Sequence, residues 1–179
     1  MRIAISGTHG TGKSTLAEAL GARLPGHVVA DEPYYLAEEE GYEFSFPPAP
    51  EDYRAMLACS MRSLRDAPSG TIFDRTPLDY LAYLAAIGAD PAEQVDAAAL
   101  RRAFAGLDLL VLTVITPETE RILPPAELPG LRSRMNEALL ELAYDDPLDA
   151  WPDTPVLELT GPLDARLATV LGALPTPRP

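Results

Sequence analysis

The stretch Gly7-Thr8-His9-Gly10-Thr11-Gly12-Lys13-Ser14 matches the pattern G-x-x-x-x-G-K-[ST] at every fixed position. In this pattern the backbone N–H groups of the loop cradle phosphates, the lysine reaches between two of them, and the last hydroxyl binds Mg²⁺. The sequence therefore predicts a site for a nucleoside triphosphate with Mg²⁺. The residues expected to bind it are Gly7, His9, Gly10, Thr11, Gly12, Lys13, Ser14 and Thr15, with Ser14 also binding the metal; His9 is expected to expose its side chain.

Lys13 is the only lysine in the chain, and the remaining thirteen of the fourteen basic residues are arginines. The planar fork of arginine suits bidentate pairing, whereas the centre of a phosphate loop accommodates one compact ammonium on a flexible stem. Lysine therefore occurs only where its geometry is required. The same count excludes the Asn-Lys-x-Asp element with which GTPases read guanine, because that element needs a second lysine.

The composition predicts one globular domain over residues 1–179. The chain has 47% apolar and 23% charged residues, which is enough for a sheet covered by helices on both faces. Its net charge of -13 argues against a nucleic-acid partner, since affinity for that backbone comes from basic patches. We expect small-molecule partners instead.

The N-terminal sequence, the apolar runs and the cysteine content favour a cytoplasmic protein. An apolar strand begins at residue 2 and leaves no room for a signal peptide. No apolar run approaches the roughly 20 residues of a membrane helix. The single cysteine, Cys59, excludes an internal disulfide and is expected to be buried on a helix.

Five short apolar segments alternate with helical patterns along the chain. This order predicts an α/β fold with a five-stranded parallel sheet between two layers of helices, a three-layer sandwich. Residues 33–50 are predicted to form an ordered loop. The expected strands are 2–6, 27–30, 71–73, 107–115 and 156–159, and the expected helices are 13–24, 51–67, 77–87, 91–105, 131–144 and 164–174.

Acidic residues follow two of the predicted strands, where ligands of parallel sheets bind. Asp31 or Glu32 could accept the proton of an attacking hydroxyl or hold a water on Mg²⁺, and the sequence does not decide which of them faces the substrate. Asp74 is expected to hold Mg²⁺ through water, and Arg75 to clamp a phosphoryl oxygen or the acceptor. A solvated surface acid and an ordinary surface Asp-Arg pair are the alternatives.

Residues 116–134 are predicted to form a lid over the triphosphate. Arginines in such a lid stabilise charge on the transferring group and exclude water. The preferred pair is Arg121 and Arg132, with Arg134 nearby. Aromatic side chains before and after the third strand could stack on a flat acceptor ring or pack in the core: Tyr34, Tyr35, Tyr42, Phe44, Phe46, Tyr53, Tyr80 and Tyr83.

Taken together, the loop at 7–15, the acids at 31–32, the segment 73–79 and the late Gly161 resemble the P-loop nucleoside and nucleotide kinases. The likeness is greatest to small bacterial AAA-type ATPases related to the ribosylnicotinamide kinase domain. It implies a P-loop NTPase fold with kinase-like strand order. It leaves the oligomeric state open, with a homodimer as one candidate because many relatives pair through helices. It also implies that Asp31 or Glu32 acts as base or substrate anchor, that Asp74 and Arg75 form the acid-arginine pair, that the lid arginine lies near Arg121, and that Thr160, Gly161 and Pro162 contact adenine.

The leading hypothesis is an ATP- and Mg²⁺-dependent kinase that transfers the γ-phosphoryl group to a hydroxyl of a small molecule, with a nucleoside-like compound as one candidate. The alternative is a regulatory ATPase that switches a partner protein. A nucleotide-binding protein without turnover is the third reading. The lid carries fewer arginines than a typical nucleotide kinase, which argues against a monophosphate acceptor.

Overall fold

The computed structural model describes residues 1–121, 128–151 and 153–174. Its centre is a five-stranded sheet in which every pair of neighbouring strands is parallel, in the order β2-β3-β1-β4-β5. The predicted parallel sheet is thereby confirmed, with the strand order of the P-loop kinases. The strands are β1 (Ile3–Ser6), β2 (Val28–Ala30), β3 (Thr71–Asp74), β4 (Leu109–Thr113) and β5 (Val156–Leu159).

Helices cover both faces of the sheet. Successive strand residues point to opposite faces, so Ala4 packs into one apolar cluster and Ile5 into the other. Within the described ranges, no helix combines the length and apolar character needed to cross a bilayer. The helices are α1 (Lys13–Arg23), α2 (Pro33–Glu39), α3 (Pro50–Asp66), α4 (Pro77–Ala86), α5 (Ala97–Phe104), α6 (Pro117–Glu120), α7 (Pro129–Asp145) and α8 (Leu163–Ala173), with a 3₁₀ turn at Pro91–Glu93.

Besides shifts of one or two residues at element ends and the short helix α6 inside the predicted lid, two predicted segments differ from the structure. Residues 33–50 were expected to be a loop, but 33–39 form α2, because Pro33 fits the first helical position. The expected helix at 91–105 is broken into a 3₁₀ turn and α5. The reason is a second cap: Asp90 accepts from the N–H of Ala92, and Asp96 accepts from the N–H of Ala99 and starts a new helix.

At the junction between β3 and α4, the helix begins at Pro77, the predicted residue. The hydroxyl of Thr76 accepts a hydrogen bond from the N–H of Leu78 (3.2 Å), and a carboxylate oxygen of Asp79 accepts one from the N–H of Thr76 (2.8 Å). This reciprocal capping begins α4 directly after the sheet. It places Asp74, Arg75 and Asp79 beside the carboxyl end of β1, where the glycine-rich loop begins.

Candidate functional site

The glycine-rich loop, residues 7–14, connects β1 to α1 and is called the phosphate loop below. Gly12 lies in the left-handed region with φ of 77° and caps α1. A Cβ on Gly7 would stand 2.1 Å from Thr113 Oγ1 and 2.5 Å from the carbonyl oxygen of Thr113. Only glycine fits that approach to β4. The loop therefore presents its backbone at the end of the sheet and at the N-terminus of α1, an arrangement that suits an anion.

Lys13 is buried inside this loop, with 4% of its surface exposed. Its Nζ donates a hydrogen bond to the carbonyl oxygen of Thr8 (2.8 Å). Burial, and secondarily the positive charge of Arg75, lower the pKa of Lys13 to about 7, while Asp79 and other acids partly oppose the shift. The buried ammonium thus lacks part of the neighbouring negative charge that a bound phosphate would supply.

This lowered pKa predicts proton uptake on nucleotide binding. The pKa of Lys13 is about 7 in the folded protein and about 10.4 in an unfolded chain, so between these values the folded protein holds fewer protons and this group's contribution to stability rises with pH. A bound phosphate restores the charged form. Titration calorimetry with metal-free ADP at pH 8.5, in two buffers of different ionisation enthalpy, should therefore show uptake of close to one proton, and affinity should fall as pH rises above about 7. Heat that does not depend on the buffer would contradict this.

Arg75, directly after β3, and Glu32, just after β2, form an ion pair. Arg75 Nε donates to Glu32 Oε1 (2.5 Å), and the side chains are only 12% and 25% exposed. Arg75 has a left-handed backbone, with φ of 78°, which is rare outside glycine and is held only where the surroundings fix it. Glu32 therefore faces the phosphate loop side of the sheet, whereas its neighbour Asp31 is exposed.

Asp79 fastens the phosphate loop to α4. It is fully buried, and its Oδ1 accepts a hydrogen bond from the N–H of Gly7 (2.9 Å). Arg75 Nη1 lies 3.5 Å from the same oxygen. One carboxylate thus connects the loop, the helix cap at Thr76 and the Arg75 side chain.

Asp79→Asn is expected to lower the free energy of unfolding by about 1–3 kcal/mol, because the amide NH₂ would face a backbone N–H and leave a buried donor unsatisfied. The matched control is Asp96→Asn, since asparagine caps a helix as well as aspartate. Chemical denaturation of both variants measures the difference. Equal, small losses in the two variants would show that Asp79 does not hold the loop.

Asp74 lies beside Ser14, the last residue of the phosphate loop. Asp74 is 7% exposed, and its Oδ1 has no hydrogen-bond partner among the described residues. Burial raises the pKa of Asp74, although a hydrogen bond with Ser14 and the charge of Lys13 oppose the shift. The described residues hold no group of three or more His, Cys, Asp or Glu side chains that could bind a metal by themselves. A cation here would therefore also need phosphate or water oxygens.

The predicted lid arginines lie in different surroundings. Arg132 on α7 is 3% exposed, and its Nη1 lies 3.6 Å from the position of a Cβ on Gly10. Arg134 instead donates to the carbonyl oxygen of Ala86 on α4 (2.9 Å). Arg121, at the end of α6, is exposed. Only Arg132 of these three is shown beside the phosphate loop, and residues 122–127 of the predicted lid lie outside the described residues.

A cavity of about 350 Å³ opens next to the Glu32–Arg75 pair, and we call it the aromatic cavity. Tyr53 and Tyr83 stack in its wall with ring centroids 5.0 Å apart and an interplanar angle of 6°. The expectation that His9 exposes its side chain is wrong, because His9 is partly buried and its Nδ1 lies 3.1 Å from the hydroxyl of Tyr83. The lining residues are His9, Glu32, Tyr34, Phe46, Pro48, Tyr53, Met56, Arg75, Tyr80, Tyr83, Leu128 and Leu131.

A second cavity, of about 220 Å³, lies on the other side of the phosphate loop and is called the small cavity. Thr160 and Gly161, expected to contact adenine, both line it, whereas Pro162 is the N-cap residue of α8. The lining residues are Gly10, Thr11, Gly12, Val114, Thr119, Leu159, Thr160, Gly161 and Arg166.

Asp79 and Arg166 contact the phosphate loop, although no role was predicted for either residue. Asp79 could have been found as the third residue of a capping box that starts at Thr76. Arg166 carries no local signal, because its contact with Thr11 joins residues 155 apart. The other aromatic residues that were predicted to contact an acceptor ring or to pack in the core lie in different surroundings. Tyr42 and Phe44 pack on each other, with ring centroids 4.8 Å apart, and Tyr35 is 57% exposed.

The phosphate loop, the strand order and the paired residues at the ends of β2 and β3 define a P-loop protein with the fold of the nucleoside and nucleotide kinases. A family model described as an AAA domain matches residues 2–146. The chain therefore belongs to this AAA domain family. No curated protein sequence matches it significantly.

Solved structures of similar fold include three kinds of protein. Deoxyadenosine kinase from M. mycoides, with the products dCMP and dCDP, is similar with a TM-score of 0.66 and 19% identity, over 96% of this chain and 97% of that one. Thymidylate kinase from Candida albicans has a TM-score of 0.61 and 15% identity, over 96% and 89%. NadR protein, in complex with NAD and AMP-PNP, has a TM-score of 0.63 and 22% identity, over 99% of this chain and 51% of that one. At these identities the likeness shows the fold.

Proposed function

We propose that the protein is an ATP- and Mg²⁺-dependent phosphotransferase that moves the γ-phosphoryl group to a hydroxyl of a small molecule bound in the aromatic cavity. One observation carries this proposal: the Glu32–Arg75 pair and the phosphate-loop residue His9 line the same cavity. A proton acceptor and a loop built for phosphates thus border one space. The similar fold of deoxyadenosine kinase and thymidylate kinase supports the reaction class.

In this account each reacting group has a protein partner. Glu32 accepts the proton of the acceptor hydroxyl while the hydroxyl oxygen bonds to the γ-phosphorus. The bond between that phosphorus and the bridging oxygen breaks, and ADP leaves. Lys13 and Arg132 offset the negative charge of the transferring group. Arg75 holds Glu32 in place through their ion pair.

The residues at Asp74 and Ser14 fit a Mg²⁺ ion. Asp74 offers a buried carboxylate oxygen without a protein partner in the described chain, and hydroxyl and carboxylate oxygens are the donors that Mg²⁺ prefers. We propose that Ser14 binds the ion and that Asp74 holds it through water. When bound, Mg²⁺ would neutralise charge on the phosphates.

The cavity wall favours an uncharged, flat acceptor. Among the described residues that line it, apart from His9, the charged side chains are Glu32 and Arg75, which neutralise each other. The stacked Tyr53 and Tyr83 extend an aromatic surface beside them, on which a planar ring can pack. We therefore propose a nucleoside-like alcohol rather than a nucleoside monophosphate.

The test is ADP release from Mg-ATP with a matched panel of acceptors. Deoxyadenosine and thymidine are compared with their 5′-monophosphates at equal concentration. We expect at least one nucleoside to raise the rate, and its monophosphate to raise it less. A rate that no acceptor changes, but that a protein partner raises, would favour the regulatory ATPase instead.

A further inference from the structure

Tyr83, on α4, contacts the phosphate loop through its hydroxyl group. The backbone N–H of His9 donates a hydrogen bond to this oxygen (3.3 Å), and Nδ1 of the His9 ring lies 3.1 Å from it. A phenol can accept one hydrogen bond and donate its own hydrogen in another. One hydroxyl thus contacts both the backbone and the side chain of a loop residue, although the two residues are 74 apart in the chain.

The ring of the same side chain forms part of the wall of the aromatic cavity. It is buried and stacks on Tyr53 of α3, and the guanidinium carbon of Arg75 lies 5.9 Å from its centre. The hydroxyl of a tyrosine is rigidly attached to the plane of its ring. A ligand that restrains the ring therefore also restrains the contact with His9.

The helix that carries Tyr83 is itself attached to the phosphate loop. Asp79, which lies four residues before Tyr83, accepts a hydrogen bond from the N–H of Gly7 (2.9 Å). Residues four apart lie on the same face of a helix, so Asp79 and Tyr83 contact the loop from one face of α4. This helix thus holds the loop at two positions, Gly7 and His9.

We propose that Tyr83 is a positioning residue that couples the two ligands of the proposed function, on which this inference rests. A nucleoside stacked on the tyrosine pair restrains the Tyr83 hydroxyl, which fixes the phosphate loop and so raises the affinity for the nucleotide. Ordering a side chain costs free energy, and a second ligand that needs the same side chain ordered does not meet that cost again. By thermodynamic linkage, the nucleotide raises the affinity for the nucleoside by the same factor.

The experiment measures the affinity for β,γ-methylene-ATP with Mg²⁺ by calorimetry, because the γ-phosphoryl group of this analogue is not transferred. Each titration is made without nucleoside and with a saturating concentration of deoxyadenosine or thymidine, whichever binds more tightly. In the wild type, the nucleoside is expected to raise the affinity at least about five-fold. In Tyr83→Phe, which keeps the ring and loses the hydroxyl, it should change the affinity less than about two-fold.

Tyr53→Phe is the matched control, because Tyr53 forms the other ring of the stack and lies on α3, whereas the hydrogen bond with the loop comes from Tyr83. Whatever this change does to each affinity, the ratio of the affinities with and without nucleoside should stay as in the wild type. Hydrogen exchange gives a second readout, since it reports local opening. The nucleoside alone should slow exchange of the loop amides in the wild type and not in Tyr83→Phe.

Two results would overturn the inference and leave the proposed function intact. Equal affinities for the nucleotide with and without bound nucleoside would show that the two sites of the wild type are independent. Coupling that persists in Tyr83→Phe would show that it follows another route, such as Arg75, whose Nη1 donates to the carbonyl oxygen of Gly7 (3.3 Å). A wild-type protein that binds neither nucleoside, or that does not bind the nucleotide, would overturn the proposed function as well.

Discussion

Lys13→Ala is expected to lower the rate of ADP release about 10²–10³-fold, equivalent to about 3–4 kcal/mol of lost transition-state stabilisation. The ammonium is buried in the phosphate loop and donates to the carbonyl oxygen of Thr8, so it stands in the position where a phosphate would be neutralised. No other lysine is available in the chain. Steady-state kinetics with Mg-ATP and the best acceptor of the panel measure the loss.

Two comparisons separate chemistry from folding. Lys13→Arg keeps the charge but replaces a point charge by a wide fork, so its activity should also be low. Thermal unfolding of Lys13→Ala should show a folded protein, since removing a cation whose pKa burial lowers relieves a desolvation cost. The same measurement on Lys13→Arg shows whether the fold accommodates the larger cation. Activity within a few-fold of wild type for a folded Lys13→Ala protein would contradict the role of this residue.

The second large effect is expected for Glu32→Gln, which should lower the turnover number about 10²–10⁴-fold, the range for loss of a general base. Asp31→Asn, at the adjacent position, should change it less than about three-fold. The structure gives the reason for this difference, because Glu32 lines the aromatic cavity and pairs with Arg75, whereas Asp31 is exposed and does not line it. The two variants are therefore compared side by side, with the same acceptor.

A control for stability is needed because Glu32→Gln also breaks an ion pair. Removing one partner of a fully buried pair costs about 3–5 kcal/mol, and the cost here should be smaller because a quarter of the Glu32 side chain is exposed. Denaturation of Glu32→Gln and of Arg75→Gln measures that cost. Equal and small kinetic losses in Asp31→Asn and Glu32→Gln would remove the proposed base from either position.

Local signals made the phosphate loop predictable. Gly7 to Ser14 form one continuous pattern, and the strand before it and the helix after it follow from apolar spacing alone. The predicted start of a helix at residue 77 was equally local, because its cap, Thr76, has its partner Asp79 three residues away. Features that depend on nearest neighbours in the chain could therefore be read from the sequence.

The choice between Asp31 and Glu32 could not be made in this way. It depends on Arg75, whose left-handed backbone and ion pair exist only in the folded protein. The contacts of His9 with Tyr83 and of Arg166 with Thr11 likewise join segments 74 and 155 residues apart. No period or spacing in the sequence encodes such contacts, because they arise when separate strand ends meet at one edge of the sheet.

The most direct test of the account follows the γ-phosphoryl group itself. The protein is incubated with ATP labelled at the γ-phosphorus, Mg²⁺ and the nucleoside that raises ADP release most, and the labelled products are separated. The account predicts that the label appears on the hydroxyl of the nucleoside in amounts equal to the ADP formed, and that Glu32→Gln slows this transfer at least about 100-fold. Label recovered only as inorganic phosphate, at the same rate with and without the nucleoside, would contradict it.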